Sequence, residues 1–422
     1  MLPREGFTQD VNLLTFSSRL RNPVVPVITT MVIVASAWHL SDGAVANPNP
    51  SSKQAMTART LSQPPSGAAL ESLPGLRTRV AMRGLDIPWD VAVLPKGSWL
   101  VTERDRLRIT IRRPNGSREI LADTPPHFWA SGETGMMSIA ADPNVQRNSR
   151  FYTCSGYVAN GTPEVRVIAW ELNRSRSNAT PVEPLVRGID INSGRHGGCR
   201  IRFDPRGSMY VGTGDATVGT NPQNRGSLNG KVLRLNRFNG KPWPTNPWRR
   251  AADRDRRYVY TYGHRNVQGL AFRPGDRMWS VEHGPARDDE VNRLLAGGNY
   301  GWNPVPGYNE SVPMTDFSLP GRQRGARWRS GSPTIATSGA TWVRGKQWGG
   351  YRGTLAVCAL GAEKLVFMRF DADNKLVWTR TPVELDGDFG RLRSVVQTAG
   401  GALLITTANG GGSDKIVRVT PR

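Results

Sequence analysis

IRFDPRGSMYVGTGD, residues 201–215, is the stretch whose reading decides the fold class. An apolar run, a turn built on Asp-Pro and Gly, and a second apolar run ending in small and polar residues read as a β-hairpin. The theme recurs as VAVLPKGSWLVTER (91–104), IAADPNVQRNSRFYTCSG (139–156), LAFRPGDRMWSVEHG (270–284), TWVRGKQWGGYRGTLAVCAL (341–360) and VVQTAGGALLITTANG (395–410). Hairpins returning at a period of roughly 50–75 residues predict an all-β chain, a β-propeller with one four-stranded antiparallel sheet per blade. Long amphipathic helix patterns are missing. A pair of β-sandwiches is the alternative that also gives short strands and frequent turns. In a propeller, loops from different blades meet at the mouth of the channel. Those after the second strand of a hairpin here carry Asp215, Glu282, His283 and Asn409.

The chain has 422 residues and a formal charge of +22, with Arg spread from Arg77 onward. This balance reads as a solvated basic surface or as attraction to an anionic envelope polymer. No nucleic acid partner is expected, because no helix-turn-helix, zinc-finger spacing or RNA-binding aromatic motif accompanies the charge. Arg19 and Arg21 precede the largely apolar run Pro23–Trp38, and Ala44-Val45-Ala46 follows. The pattern predicts an export signal over 1–46 and a periplasmic, secreted or envelope-associated protein. An uncleaved membrane anchor is the alternative, although the run of roughly 16 residues is shorter than the ~20 that span a bilayer. Residues 47–72, rich in Pro, Ser, Ala, Gln and Asn, predict a flexible linker, and 73–422 the folded body. Of the three cysteines, Cys154 and Cys199 are the expected pair, since both lie beside strands in neighbouring repeats and export permits oxidation.

Familiar cofactor and nucleophile motifs fail. GTGDATVG (212–219) lacks the dinucleotide spacing, GSLNGKV (226–232) is one residue short of a phosphate loop, and no G-x-S-x-G occurs. His196, among glycines in GRHGGCRIRFDP, fits either a general base or a channel-lining side chain. In GHRN, His264 and Arg265 either act on a ligand or bond the loop to itself. Arg391 and Arg393 are two apart on an expected strand, so regular alternation puts them on one side, facing a polyanion or solvent. EHGPARDDE offers a hard cation the carbonyls around Gly284-Pro285 and the carboxylates of Glu282, Asp288, Asp289 and Glu290, or else a solvated acidic turn.

Several segments together resemble the soluble pyrroloquinoline quinone (PQQ)-dependent sugar dehydrogenases, the glucose/sorbosone dehydrogenase family. They are GHRNVQGLAF (263–272), EHGPARDDEVN (282–292), GGNYGW (297–302), the His-Gly-Gly-x-Arg segment (196–200), SPTIATSGA (332–340) and GRLR (390–393). The resemblance implies a six-bladed propeller with PQQ and calcium as cofactors, and a small sugar as substrate with an unknown electron acceptor. It implies His196 as the base that takes the sugar hydroxyl proton while hydride moves to the quinone. It implies Arg265, with Asn266 beside it, at the reacting quinone carbonyl, the carbonyls of Gly284 and Pro285 as the calcium seat, and Arg391 and Arg393 at the cofactor carboxylates.

Three positions depart from the family pattern. Glu133, in GETGMM, stands where a Gln is common; Arg195 stands where glucose enzymes often carry an acidic residue before the catalytic His; and Gly361 replaces a cofactor-facing Lys, with Lys364 out of register. Two readings follow. One is a quinoprotein oxidising an aldose or related sugar alcohol carbon. The other is a non-catalytic propeller of the same family that binds an envelope glycan or a protein.

Overall fold

The computed structural model describes residues 72–422 other than Asn192. The export signal expected over 1–46, and all of the expected linker except Ser72, lie outside the described residues. Six four-stranded antiparallel sheets form the blades of a propeller. Their first strands are Pro88–Val93, Met136–Ala141, Gly198–Phe203, Val267–Phe272, Thr337–Trp342 and Leu392–Gln397, and neighbouring first strands pack in a closed ring. Each of the six hairpins read from sequence is the inner half of one blade. The inner strands are legible because they are covered on both faces: Trp99–Glu103, Met278–Glu282, Leu355–Ala359 and Leu403–Thr407 are buried throughout. Some outer strands are partly exposed, as in Arg118–Asp123 and Leu376–Arg380, and Trp328–Arg329 is only two residues long.

The ring closes where its two ends meet. Leu76–Leu85 forms the outermost strand of the sixth blade, antiparallel to Asp414–Pro421, with Leu76 opposite Pro421 and Val80 opposite Val417. Between blades the core is aromatic and aliphatic; for instance, Trp279 of the fourth blade meets Trp342 of the fifth edge-on at 5.3 Å.

A buried carboxylate ties the ring across its axis. Asp90 on the first blade accepts from Ser138 of the second at 2.8 Å, Arg200 of the third at 2.7 Å and Ser394 of the sixth at 2.7 Å, with Arg202 at 2.9 Å. Arg200 also donates through Nε to the Gln268 carbonyl of the fourth blade at 2.9 Å. The expected cysteine pair is present. Cys154, on the second strand of the second blade, and Cys199, on the inner strand of the third, form a disulfide with Cα atoms 5.6 Å apart, while Cys358 is free and buried.

Candidate functional site

First strands begin, and second strands end, at the same end of the ring. Glu133, His196, Arg265 and Arg391 therefore stand just before first strands of four different blades, and Asp215 and His283 just after second strands.

His196 is almost fully buried and held at φ +58°. Its Nδ1 lies 2.8 Å from Asp215 Oδ1 and 3.0 Å from the Tyr308 hydroxyl. Asp215 is fixed in turn. Oδ1 accepts from the Thr217 N–H at 2.9 Å, while Oδ2 accepts from Trp302 Nε1 and the Tyr308 hydroxyl, each at 2.8 Å. Burial and the Asp215 carboxylate push the Tyr308 phenol far above its ordinary value, so Tyr308 stays a donor. Asp215 is the acceptor for Thr217, Trp302 and Tyr308, and as acceptor for His196 too it places the imidazole proton on Nδ1 and the lone pair on Nε2, which makes no protein hydrogen bond among the described residues. Glycine is required at 214, where a Cβ would strike the His196 carbonyl.

GHRN is anchored by one acid. Glu282 accepts from His264 Nδ1 at 2.9 Å, from the Arg265 N–H at 3.0 Å and from Asn292 at 2.9 Å. His264 also pairs with Thr261 at 2.9 Å and stacks on Tyr300, so it shapes the turn and meets no ligand. Arg265 is presented above the ring of Trp302 at 5.7 Å; Nη1 donates to the His283 carbonyl at 3.3 Å and Nη2 to Glu310.

Across the mouth Glu133 accepts from the His196 N–H at 3.1 Å and from Asn266 Nδ2 at 3.2 Å. Asn266 Oδ1 accepts from Gln268 at 3.3 Å, and Gln268 accepts from Arg393 Nη1 at 2.9 Å. Burial works to raise the Glu133 carboxyl, but the hydrogen bond from the His196 backbone N–H and the nearby Arg393 charge bring it below its ordinary value. Burial drives His283 down to about 3, leaving it neutral, and burial with Arg104 and Arg200 nearby lowers Arg393 to about 9. Arg265 Nε, His283 Nε2 and Arg393 Nε are sealed from solvent without a hydrogen-bond partner. Buried donors in that state fit an oxygen-rich anionic ligand.

Two sequence expectations need correction. Arg391 and Arg393 do not share one regular strand face: the pairing slips between Leu392 and Ser394, so Arg393 occupies a bulge and is buried, while Arg391 precedes the strand and is exposed. Nor do Glu282, Asp288, Asp289 and Glu290 form a cation cage. Glu282 anchors GHRN, and Asp289 accepts from the N–H groups of Gly284 at 2.9 Å and Ile335 at 2.8 Å. Glu290 accepts from Asn292 at 3.1 Å and Thr315 at 3.3 Å, and Asp288 is half-exposed. Among the described residues no three His, Cys, Asp or Glu side chains converge to hold a metal. The loop geometry at 284 remains tight: a Cβ there would strike the Arg287 carbonyl, and Asp289 pins the Gly284 N–H, which fixes how the Gly284-Pro285 carbonyls are presented. Gly361 lies in the turn after Leu355–Ala359, and Lys364 opens the next strand opposite Ala359.

Glu290 provides a pH test. Burial and the neighbouring Glu282 raise its carboxyl from 4.5 to about 8, outweighing Asn292, Arg329 and Thr315. A carboxyl protonated in the fold but ionised when unfolded stabilises the fold fully below 4.5 and loses that contribution as pH rises toward 8. The Tm of the native protein relative to Glu290→Gln is therefore expected to fall across that window. A difference that stays constant with pH would show that Glu290 is not held protonated.

Asp215 appears in the sequence as a polar loop residue without a role. Gln268 lies within GHRNVQGLAF, where nothing singles it out, and Tyr308 and Glu310 carry no sequence signal at all. Tyr308 and Glu310 come from the segment 294–327, which links Glu290–Arg293 to Trp328–Arg329 and runs beside the third blade, where Asn299 bridges Tyr262.

Fold and site together define a β-propeller whose mouth pairs a proton acceptor with a socket for an anionic ligand. The chain belongs to the glucose/sorbosone dehydrogenase family, whose pattern matches residues 85–418. A crystal structure of a Thermus thermophilus oxidoreductase of the glucose dehydrogenase type is 31% identical, with a TM-score of 0.70, covering 82% of this chain and 100% of that one. The PQQ-bound aldose sugar dehydrogenase of Streptomyces coelicolor is 27% identical, with a TM-score of 0.68, covering 83% and 100%. The aldose sugar dehydrogenase of Escherichia coli is 26% identical over 373 residues, 84% of this chain and 96% of that protein.

Proposed function

We propose that this protein is an exported quinoprotein that oxidises an aldose or related sugar alcohol carbon, with PQQ as hydride acceptor and calcium beside it. The observation that carries the proposal is the Asp215-oriented His196 at the same mouth as the unpartnered buried donors of Arg265 and Arg393. When bound, the quinone supplies a two-electron acceptor for the hydride. His196 takes the hydroxyl proton at Nε2, and Asp215 and Tyr308 hold the tautomer that leaves Nε2 free and stabilise the imidazolium that forms. Arg265, with Asn266 beside it, and the buried Arg393 would hold the quinone's oxygens, and the exposed Arg391 would add positive charge at the rim. The carbonyls of Gly284 and Pro285 would hold calcium, a cation that accepts an irregular set of oxygens. Glu133 fits this scheme as a local anion that keeps Asn266 and the His196 backbone in place.

The test is to reconstitute the purified chain with PQQ and calcium and to assay dye reduction over a panel of aldoses and polyols. Saturable cofactor binding and cofactor-dependent turnover are expected. A protein that binds the cofactor with neither saturation nor turnover ends this reading.

A further inference from the structure

Glu310 stands on the guanidinium that the proposed function assigns to the quinone. Its carboxylate bonds Arg265 Nη2, and it also bonds Arg195 Nη2 at 2.9 and 3.0 Å. Of the remaining Arg265 nitrogens, Nη1 serves the His283 carbonyl and Nε is sealed. Glu310 thus places a negative charge on the Nη2 edge of the guanidinium, beside the unpartnered Nε. Burial works to raise the Glu310 carboxyl, but Arg265 and Arg195 keep it below its ordinary value, so it is ionised.

We infer that Glu310 is an internal competitor for ligand at Arg265, and that Arg195 is the holder onto which it retreats when a ligand arrives. The identity of that ligand rests on the function proposed above; the contact itself does not. A carbonyl or carboxylate oxygen cannot share Nη2 with an ionised carboxylate without facing its charge, so Glu310 has to leave. Because the same carboxylate already pairs with Arg195, leaving Arg265 breaks one ion pair and keeps the other. The two arginines differ as these roles require. Arg265 is nearly sealed, with its side chain 4% exposed, whereas Arg195 is 47% exposed and free to follow. The arginine immediately before His196 thereby acquires a use in this chain.

The experiment has two arms on the full chain. In the first, PQQ is titrated into calcium-loaded protein and followed by tryptophan quenching, for which Trp302 under Arg265 is a nearby reporter. Glu310→Ala is expected to lower Kd by roughly 2- to 5-fold, the scale of one partly exposed ion pair. Arg195→Ala is expected to raise Kd, because Glu310 loses its second partner, and that effect disappears in the double variant. An unchanged or higher Kd in Glu310→Ala overturns the inference, as does an Arg195→Ala effect that persists without Glu310. In the second arm, ligand-free protein is treated with phenylglyoxal and Arg265 modification is read by peptide mass spectrometry. Faster modification in Glu310→Ala supports the contact, and an equal rate overturns it. Faster modification with no saturable PQQ binding in any variant leaves Glu310 as the cap of Arg265 and removes the quinone reading instead.

Discussion

Replacing His196 by Ala is expected to lower sugar turnover by about 10²- to 10⁴-fold, the contribution of a positioned general base, while PQQ affinity stays within a few-fold. The asymmetry follows from the contacts. The imidazole is engaged by Asp215 and Tyr308 through Nδ1 alone, and the unpartnered guanidinium donors sit on Arg265 and Arg393. Removing the ring thus deletes a proton acceptor and leaves the anion socket standing. Asp215→Asn gives the distinguishing control. An amide at 215 can donate to Nδ1, which moves the imidazole proton to Nε2 and removes the base. A fall in kcat with a displaced pH–rate profile is expected there, and a change in Tm alone would assign Asp215 to packing. A fully active His196→Ala protein would refute the role of His196 outright.

Asp90→Ala is expected to destabilise the fold by about 3–5 kcal/mol, the scale for removing one partner of a buried ion pair. Burial acts to raise the Asp90 carboxyl, yet Arg200 and Arg202 hold it far below its ordinary value, so it is a full anion in the closed centre of the ring. Without it Arg200, which has no exposed surface, keeps a buried charge and loses its counter-ion. The loss is shared by the first, second, third and sixth blades, because Ser138, Arg200 and Ser394 all meet at this one carboxylate. Denaturant unfolding measures the effect. The exposed pair Arg108–Asp123, 2.7 Å apart, is the comparison, and its disruption should cost far less. Equal losses at the two sites would show that Asp90 is not a hub.

The six hairpins, and with them the propeller, were legible in the sequence because inner strands covered on both faces must be apolar and their turns need Pro, Gly or Asn. His196, Arg265 and Asn266 are singled out only by the resemblance of their segments to the sugar dehydrogenase family, because a His or Arg in a glycine-containing loop fits a structural role as well. The outer strands were not legible: Leu376–Arg380 reads LVWTR, a short run without alternation, and Trp328–Arg329 is too short to have a period. Ring closure by Leu76–Leu85 was hidden because its partner lies at the far end of the chain.

Residue types alone established an all-β repeat and a set of polar loop residues suited to proton and anion chemistry. Only the tertiary structure decided how those residues are shared out. It turned Glu282, Asp289 and Glu290 from candidate cation ligands into internal acceptors, and separated Arg391 from Arg393 by a bulge. It also brought Asp215, Tyr308 and Glu310 to His196 and Arg265. The reason is that a carboxylate's role depends on which N–H groups reach it first, and those groups come from blades and connections distant in sequence.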